Sequence, residues 1–203
     1  MKGLIIKDFL NLKRQAKIIG VIVVFYFLLS MTSKDSNMFG TMILFLFAMM
    51  PITAISYDER ANWDKYGLTM PVSRADMVIS KYILGLVLST FVLILNFIVQ
   101  FLLGTKMNTE NIVAILAIFC ISIVFFSVLL PIMFKFGVEK GRTVMLIVLM
   151  IPTILILLLP NVIKAPPSDD LIIKALYALP LVTIIIYLLS ILLSIKIYKK
   201  KEF

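Results

Sequence analysis

Six long apolar runs separated by short polar stretches set the pattern of this 203-residue chain. They cover about residues 16–31, 39–56, 77–103, 112–134, 144–162 and 171–197. A helix needs about 20 apolar residues to cross the hydrocarbon of a bilayer, so each run predicts one transmembrane helix, the first of them short. Pro51, Pro131, Pro152, Pro160 and Pro180 fall in or at the ends of these runs. Membrane helices tolerate proline where neighbours re-satisfy the freed carbonyls, so kinks are expected near Pro152 and Pro180.

Residues 1–17, MKGLIIKDFLNLKRQAK, have a different pattern. Ile5, Phe9 and Leu12 share one helical face, while Lys7, Asn11 and Arg14 share another. This predicts an amphipathic helix lying in the headgroup region, against the plainer alternative of a basic flank to the first span. A cleaved signal peptide is not expected, because the run continues through bulky Phe25, Tyr26 and Phe27 with no small-residue cleavage site. The fold class is therefore all-α: a polytopic membrane protein with six transmembrane helices and an N-terminal amphipathic interfacial helix, forming one transmembrane domain over residues 1–203.

Composition supports this reading. The chain is 62% hydrophobic, against about 45–50% for a soluble domain, and little length remains for a soluble catalytic module. The net charge of +9 could suggest nucleic acid, but its distribution points to topology instead. All but Lys34, Lys106, Lys164 and Lys174 of the twenty basic residues lie in the N-terminal segment, in residues 57–81, in residues 135–142 or in the tail. Short loops rich in Lys and Arg mark the cytoplasmic side, so both termini are expected inside, with an even number of spans.

There is no histidine, and the one cysteine, Cys120, sits in an apolar run; a disulfide framework and a multi-cysteine metal site are excluded. The spans carry almost no ionisable side chain. Asn96 and Gln100, four apart on one face of the third span, are read first as interhelical hydrogen-bonding groups and second as a substrate path. No phosphate-binding loop exists: GVEKGRT at residues 137–143 lacks the glycine spacing and the lysine before the hydroxyl residue. ATP and Mg, if used, are expected on another chain.

The candidate site is the polar island at residues 57–81, YDERANWDKYGLTMPVSRADMVISK, with the only tryptophan. Charge inside hydrocarbon is expensive, so the island is expected in water or against a protein partner. Residues 58–66 contain no glycine or proline and are expected to form about two helical turns, with Trp63 and Tyr66 on one face. Gly67 and Pro71 end that helix, and Ser73-Arg74-Ala75-Asp76 has the form of a capping box launching the third span. A solvated hairpin connection without a partner is the bland alternative.

These residues resemble the membrane subunits of type-2 ABC exporters, the ABC-2 permease family. The likeness is strongest to small six-span Gram-positive members associated with export of, or immunity to, antimicrobial and cytolytic peptides, such as bacteriocins and phenol-soluble modulins. The resemblance rests on Asp58, Glu59 and Arg60, then Trp63, Tyr66 and Leu68, then Pro71, Ser73 and Arg74, and Lys81. A second match is Lys135, Phe136 and Gly137 with Glu139, Lys140 and Arg142, and Lys7-Asp8-Phe9 also fits. It implies a coupling helix within residues 57–76 that docks on a separate ABC ATPase, a second cytosolic loop at 135–142, and a second copy of this permease or a similar one. The implied setting is a bacterial plasma membrane, with ATP and Mg held by the partner and no cofactor in this chain. An ion-coupled carrier acting without an ATPase is the main alternative, weakened by the missing mid-membrane acid; a lipid-handling enzyme and a scaffold are others. The short loop KAPPSDD before the sixth run leaves room only for a turn or short helix outside.

Overall fold

The computed structural model describes residues 2–33, 36–104, 108–162 and 169–201, so the loop at 164–170 lies largely outside the described residues. The described residues form eight helices: α1 Lys2–Lys13, α2 Ala16–Ser33, α3 Ser36–Ala48, α4 Met50–Arg60, α5 Trp63–Gly67, α6 Arg74–Leu102, α7 Thr109–Val162 and α8 Asp169–Lys199. Among them is no strand, and the all-α expectation holds.

Among the described residues four stretches are long and apolar enough to cross a bilayer: Met38–Arg60, Arg74–Leu102, Asn111–Ile147 and Leu176–Lys199. A fifth is reached if α1 and α2, bent by 68° to one another, count together. All six runs read from the sequence are helical in backbone. Helices α3 and α4 form one rod, since Thr53 N–H still donates to Met49 C=O across the junction; Pro51 sits in the first turn of α4, where its missing N–H is least costly. Helical backbone continues through Pro180 in α8.

Helix α7 turns back at Gly137, whose φ of 80° and ψ of 170° lie where only glycine is comfortable. A Cβ placed on Gly141 would stand 3.5 Å from the Cα of Met133, eight residues earlier. Eight residues of straight helix would separate the two by about 12 Å. The loop expected at 135–142 is therefore absent: Lys135 and Phe136 end one helical arm, Val138 begins the next, and one glycine makes the turn.

Helix α6 is the centre of the bundle and packs against α1, α3, α4, α7 and α8. One apolar core gathers Tyr82, Phe126, Leu130, Met133 and Tyr198 between α6, α7 and α8. A second gathers Phe39, Ile43, Phe47, Leu84 and Leu88 between α3 and α6. Outside these cores the surface is greasy. Val21 on α2 is 70% exposed and Leu181 and Leu192 on α8 are 65% and 64% exposed. Apolar cover on that scale does not suit water, and it matches the hydrocarbon read from the sequence.

Candidate functional site

The polar island folds onto one end of the bundle, and its helix is broken where the sequence suggested continuity. Helix α4 ends at Arg60, Asn62 adopts a left-handed conformation (φ 48°, ψ 34°), and α5 begins at Trp63. Asparagine tolerates that conformation better than most residues. The break separates Trp63 from Tyr66 in environment. Trp63 packs against the core, whereas Tyr66 points outward and is 64% exposed. Gly67 is buried because a side chain there would collide with the Met77 methyl group and stand 3.3 Å from the Trp63 indole nitrogen.

The capping box forms as its spacing predicts. The Asp76 N–H donates to Ser73 Oγ at 3.1 Å, and the Ser73 N–H donates to an Asp76 carboxylate oxygen at 3.1 Å. Two turns into α6 stands the group of highest electrostatic consequence. The Lys81 ammonium donates to Asp8 Oδ1 at 2.7 Å and to Asp58 Oδ2 at 2.5 Å. Lys7 donates to the other Asp58 oxygen at 2.5 Å and lies 3.2 Å from Asp8. Two cations and two anions close a neutral ring that joins α1, α4 and α6. The Asp8 side chain is 0% exposed and that of Lys81 6%. Burying such charges is costly one at a time and tolerable only when paired and hydrogen-bonded. Asp8 Oδ2 is buried without a hydrogen-bond partner among the described residues. Lys7 also lies 4.5 Å above the Trp63 ring, a cation–π contact that fixes the indole.

This ring corrects the expected faces of α1. The buried face is Leu4, Asp8 and Leu12, four apart, while Phe9 is turned outward. Lys7 swings inward because Asp58 offers it a partner. The helix also stops at Lys13, earlier than the expected 17, and Gln15 in the bend donates to the Tyr57 hydroxyl at 3.0 Å.

Two further contacts bind the island to the rest of the bundle. A Glu59 carboxylate oxygen accepts from the Val138 N–H at 2.9 Å, capping the second arm of α7 just after Gly137. The two segments that the sequence marked separately, around 58–66 and 135–142, therefore touch. Arg74 donates to the carbonyls of Tyr198, Lys199 and Lys201 at 3.4, 2.7 and 2.9 Å, satisfying the end of α8. Next to Lys7, Asp58 and Tyr198 is a cavity of about 20 Å³, room for one water and no substrate.

Asp58, Glu59 and Arg74 are thus spent on contacts within the chain. Arg60, Tyr66 and Pro71 are exposed, as are Lys135, Phe136, Glu139 and Arg142 on the adjoining turn, where the Lys135 ammonium lies 5.0 Å over the Phe136 ring. Asn96 and Gln100 lie elsewhere, buried at 3% and 2% exposure. Asn96 donates to Val92 C=O at 3.1 Å in its own helix, and its side-chain oxygen presses on Gly40 of α3, where no side chain would fit. That is a helix-packing role, and neither residue lines a cavity described here. A hydroxyl cluster does the same between α6, α7 and α8. Tyr82 Oη meets Ser190 Oγ at 2.5 Å and Ser194 Oγ at 2.7 Å, and Ser190 donates to the Ser127 carbonyl.

Sequence reasoning named Asp8 only within the Lys7-Asp8-Phe9 match and gave it no role. The signal for it was its isolation: it is the only acid in the first 34 residues, among five lysines and arginines within residues 1–17. No group of acidic, histidine or cysteine side chains among the described residues could hold a metal ion.

A family model described as ABC-2 family transporter protein matches residues 3–199. No curated protein and no solved structure matches the chain.

Proposed function

The chain belongs to the ABC-2 family of transporter proteins, and from that premise we propose that it is the permease subunit of an ATP-driven exporter in a bacterial plasma membrane. Membership makes it a multi-pass membrane subunit, of a kind usually not itself catalytic, and implies an ABC ATPase partner in general terms. In our reading the working unit pairs this permease with a second copy or a similar chain, crosses the membrane six times and keeps both termini in the cytoplasm. Its cargo is hydrophobic or amphipathic, of the antimicrobial or cytolytic peptide class, taken laterally from the inner leaflet.

The observation that carries this reading is the position of the exposed patch Arg60, Tyr66 and Pro71. It lies on a junction where Asp58, Glu59 and Arg74 tie α1, α4, α6, the second arm of α7 and the end of α8 together. A partner pressing on that patch moves five helices as one body. Lys135, Glu139 and Arg142 extend the docking face. ATP binding closes the paired ATPases, the push enters through residues 57–76, and the two permeases tilt against each other. The cargo assignment rests on burial: among the described residues the buried charged side chains, Asp8, Asp58 and Lys81, are gathered in one ring with Lys7.

Site-directed cross-linking tests this. Tyr66→Cys, in a Cys120→Ser background, is expected to label from the cytoplasmic side only and to cross-link to the co-expressed ATPase. ATP-dependent uptake of an amphipathic peptide into inverted vesicles is expected to fall when Tyr66 is so occupied. Labelling from the outer face, or transport that persists without any ATPase, would sink the proposal; the second result would favour an ion-coupled carrier.

A further inference from the structure

The 68° bend between α1 and α2 opens a second cavity of about 690 Å³ on the outer side of the bundle. This falls within the roughly 300–1,000 Å³ of ligand pockets. Its walls include Phe9 and Leu10 of α1, Gly20 of α2, Phe47 of α3 and Phe91 and Leu95 of α6. Lys13, at the bend, is the only charged side chain among them, and every other wall residue is apolar. The groove opens sideways, with Leu10 60% and Phe91 48% exposed along its edge.

Charge selects the occupant. Lys13, Arg14 and Lys17 cluster at the bend, all exposed and none in an ion pair among the described residues. The only acid of α1, Asp8, is fully buried, held by Lys81, and not part of the groove wall. The groove therefore offers an apolar trough with Lys13 in its wall, and Arg14 and Lys17, next to it in sequence, are exposed at the same bend. A cationic amphipathic peptide would be repelled there. A second copy docked with its two-fold axis at the bend would bring its own Lys13, Arg14 and Lys17 near these, like charge on like.

We propose that this groove is a binding site for one anionic glycerophospholipid, its acyl chain in the trough between α1, α2 and α6 and its headgroup on Lys13, Arg14 and Lys17. The lipid would fill the angle of the bend and hold α1 at its working tilt. The inference needs only that the chain resides in a membrane, and it survives if ATPase docking at residues 57–76 fails.

The test is native mass spectrometry of the delipidated full chain, re-exposed in mild detergent to phosphatidylglycerol or phosphatidylcholine. One phosphatidylglycerol is expected to bind per chain, with phosphatidylcholine bound markedly less. Lys13→Gln is expected to weaken phosphatidylglycerol about fivefold, the scale of one basic charge beside an anionic surface. At Gly20 an added Cβ meets nothing within 4 Å, so Gly20→Phe can block the trough while leaving the unfolding temperature in place, and bound lipid is expected to vanish. Equal retention of the two lipids overturns the proposal, as does unchanged phosphatidylglycerol binding in both variants. Loss of dimer in Gly20→Phe with lipid retained would make a second copy the occupant and also overturn it.

Discussion

The two halves of α6 are held in different ways. From Ser73 to Ser89 the helix is fastened by directional contacts: a capping box, the Lys81 ring with Asp8 and Asp58, and the Tyr82 hydroxyl between two serines. From Phe91 onward its outer face is bare, with Ile94 51% and Phe101 80% exposed, and its inner face rests on α3 through Val92, Asn96 and Val99. Lipid tails are as apolar as leucine, so burial alone gives helices in a bilayer little reason to prefer one neighbour. Polar contacts and close packing must choose the arrangement. The cap, the charged ring and the Tyr82 hydroxyl place several of them at the island end, while in the other half Asn96 packs closely on Gly40 of α3.

That contrast can be broken from the fastened end first. Lys81→Ala leaves Asp8 and Asp58 facing each other in a buried site with only Lys7 to answer them. The expected loss is about 3–5 kcal/mol, read as a collapse of the unfolding temperature in detergent. The double variant Asp8→Leu/Lys81→Met leaves the neutral pair Lys7–Asp58 and is expected to recover most of that loss in a double-mutant cycle. Additive losses would refute the ring as a unit. Gly137→Ala forces a side chain into a backbone region suited to glycine and should cost about 1–3 kcal/mol. It also loosens the Glu59–Val138 contact, so Glu59→Gln should cost less when combined with Gly137→Ala than in the parent; equal costs would show the two are independent.

Smaller effects sharpen the comparison. Ser73→Ala removes the cap of α6 and is expected to cost about 1 kcal/mol. Tyr82→Phe removes the hydroxyl from the serine pair and should cost about 0.6 kcal/mol, the usual scale for a hydrogen bond between membrane helices. Ile98→Ala, on the bare half, should stay within about 0.5 kcal/mol. A large loss there would mean that this face is covered in the assembled protein, and the asymmetry would need redrawing.

Much of this was legible beforehand because it is local. The Ser73–Asp76 capping box depends on residues three apart, and the helical character of the six runs depends on uninterrupted apolar sequence. The end of α5 at Gly67 was also readable. The break at Asn62 was not, since nothing in Ala61-Asn62-Trp63 forbids a helix; the turn appears because α4 is held by Asp58 and Trp63 is drawn to the core. The supposed loop at 135–142 is a single-glycine turn because Glu59, from another part of the chain, supplies the cap that lets the second arm start at once. Asn96 reads first as a group between helices and second as a path group, and the contact with Gly40 beneath it favours the first.

The order of residues was enough to set the solvent, through the density of apolar side chains, and the sidedness expected from the lysines and arginines. It marked residues 57–81 as the polar segment but not that Lys7 and Asp8 would join it. Which charges neutralise one another was left to the packed bundle. Lys7 meets Asp58 across 51 positions and Lys81 meets Asp8 across 73, pairings that no local spacing encodes. Ionic attraction in a buried site depends on separation in space, and that separation exists only once α1, α4 and α6 have packed.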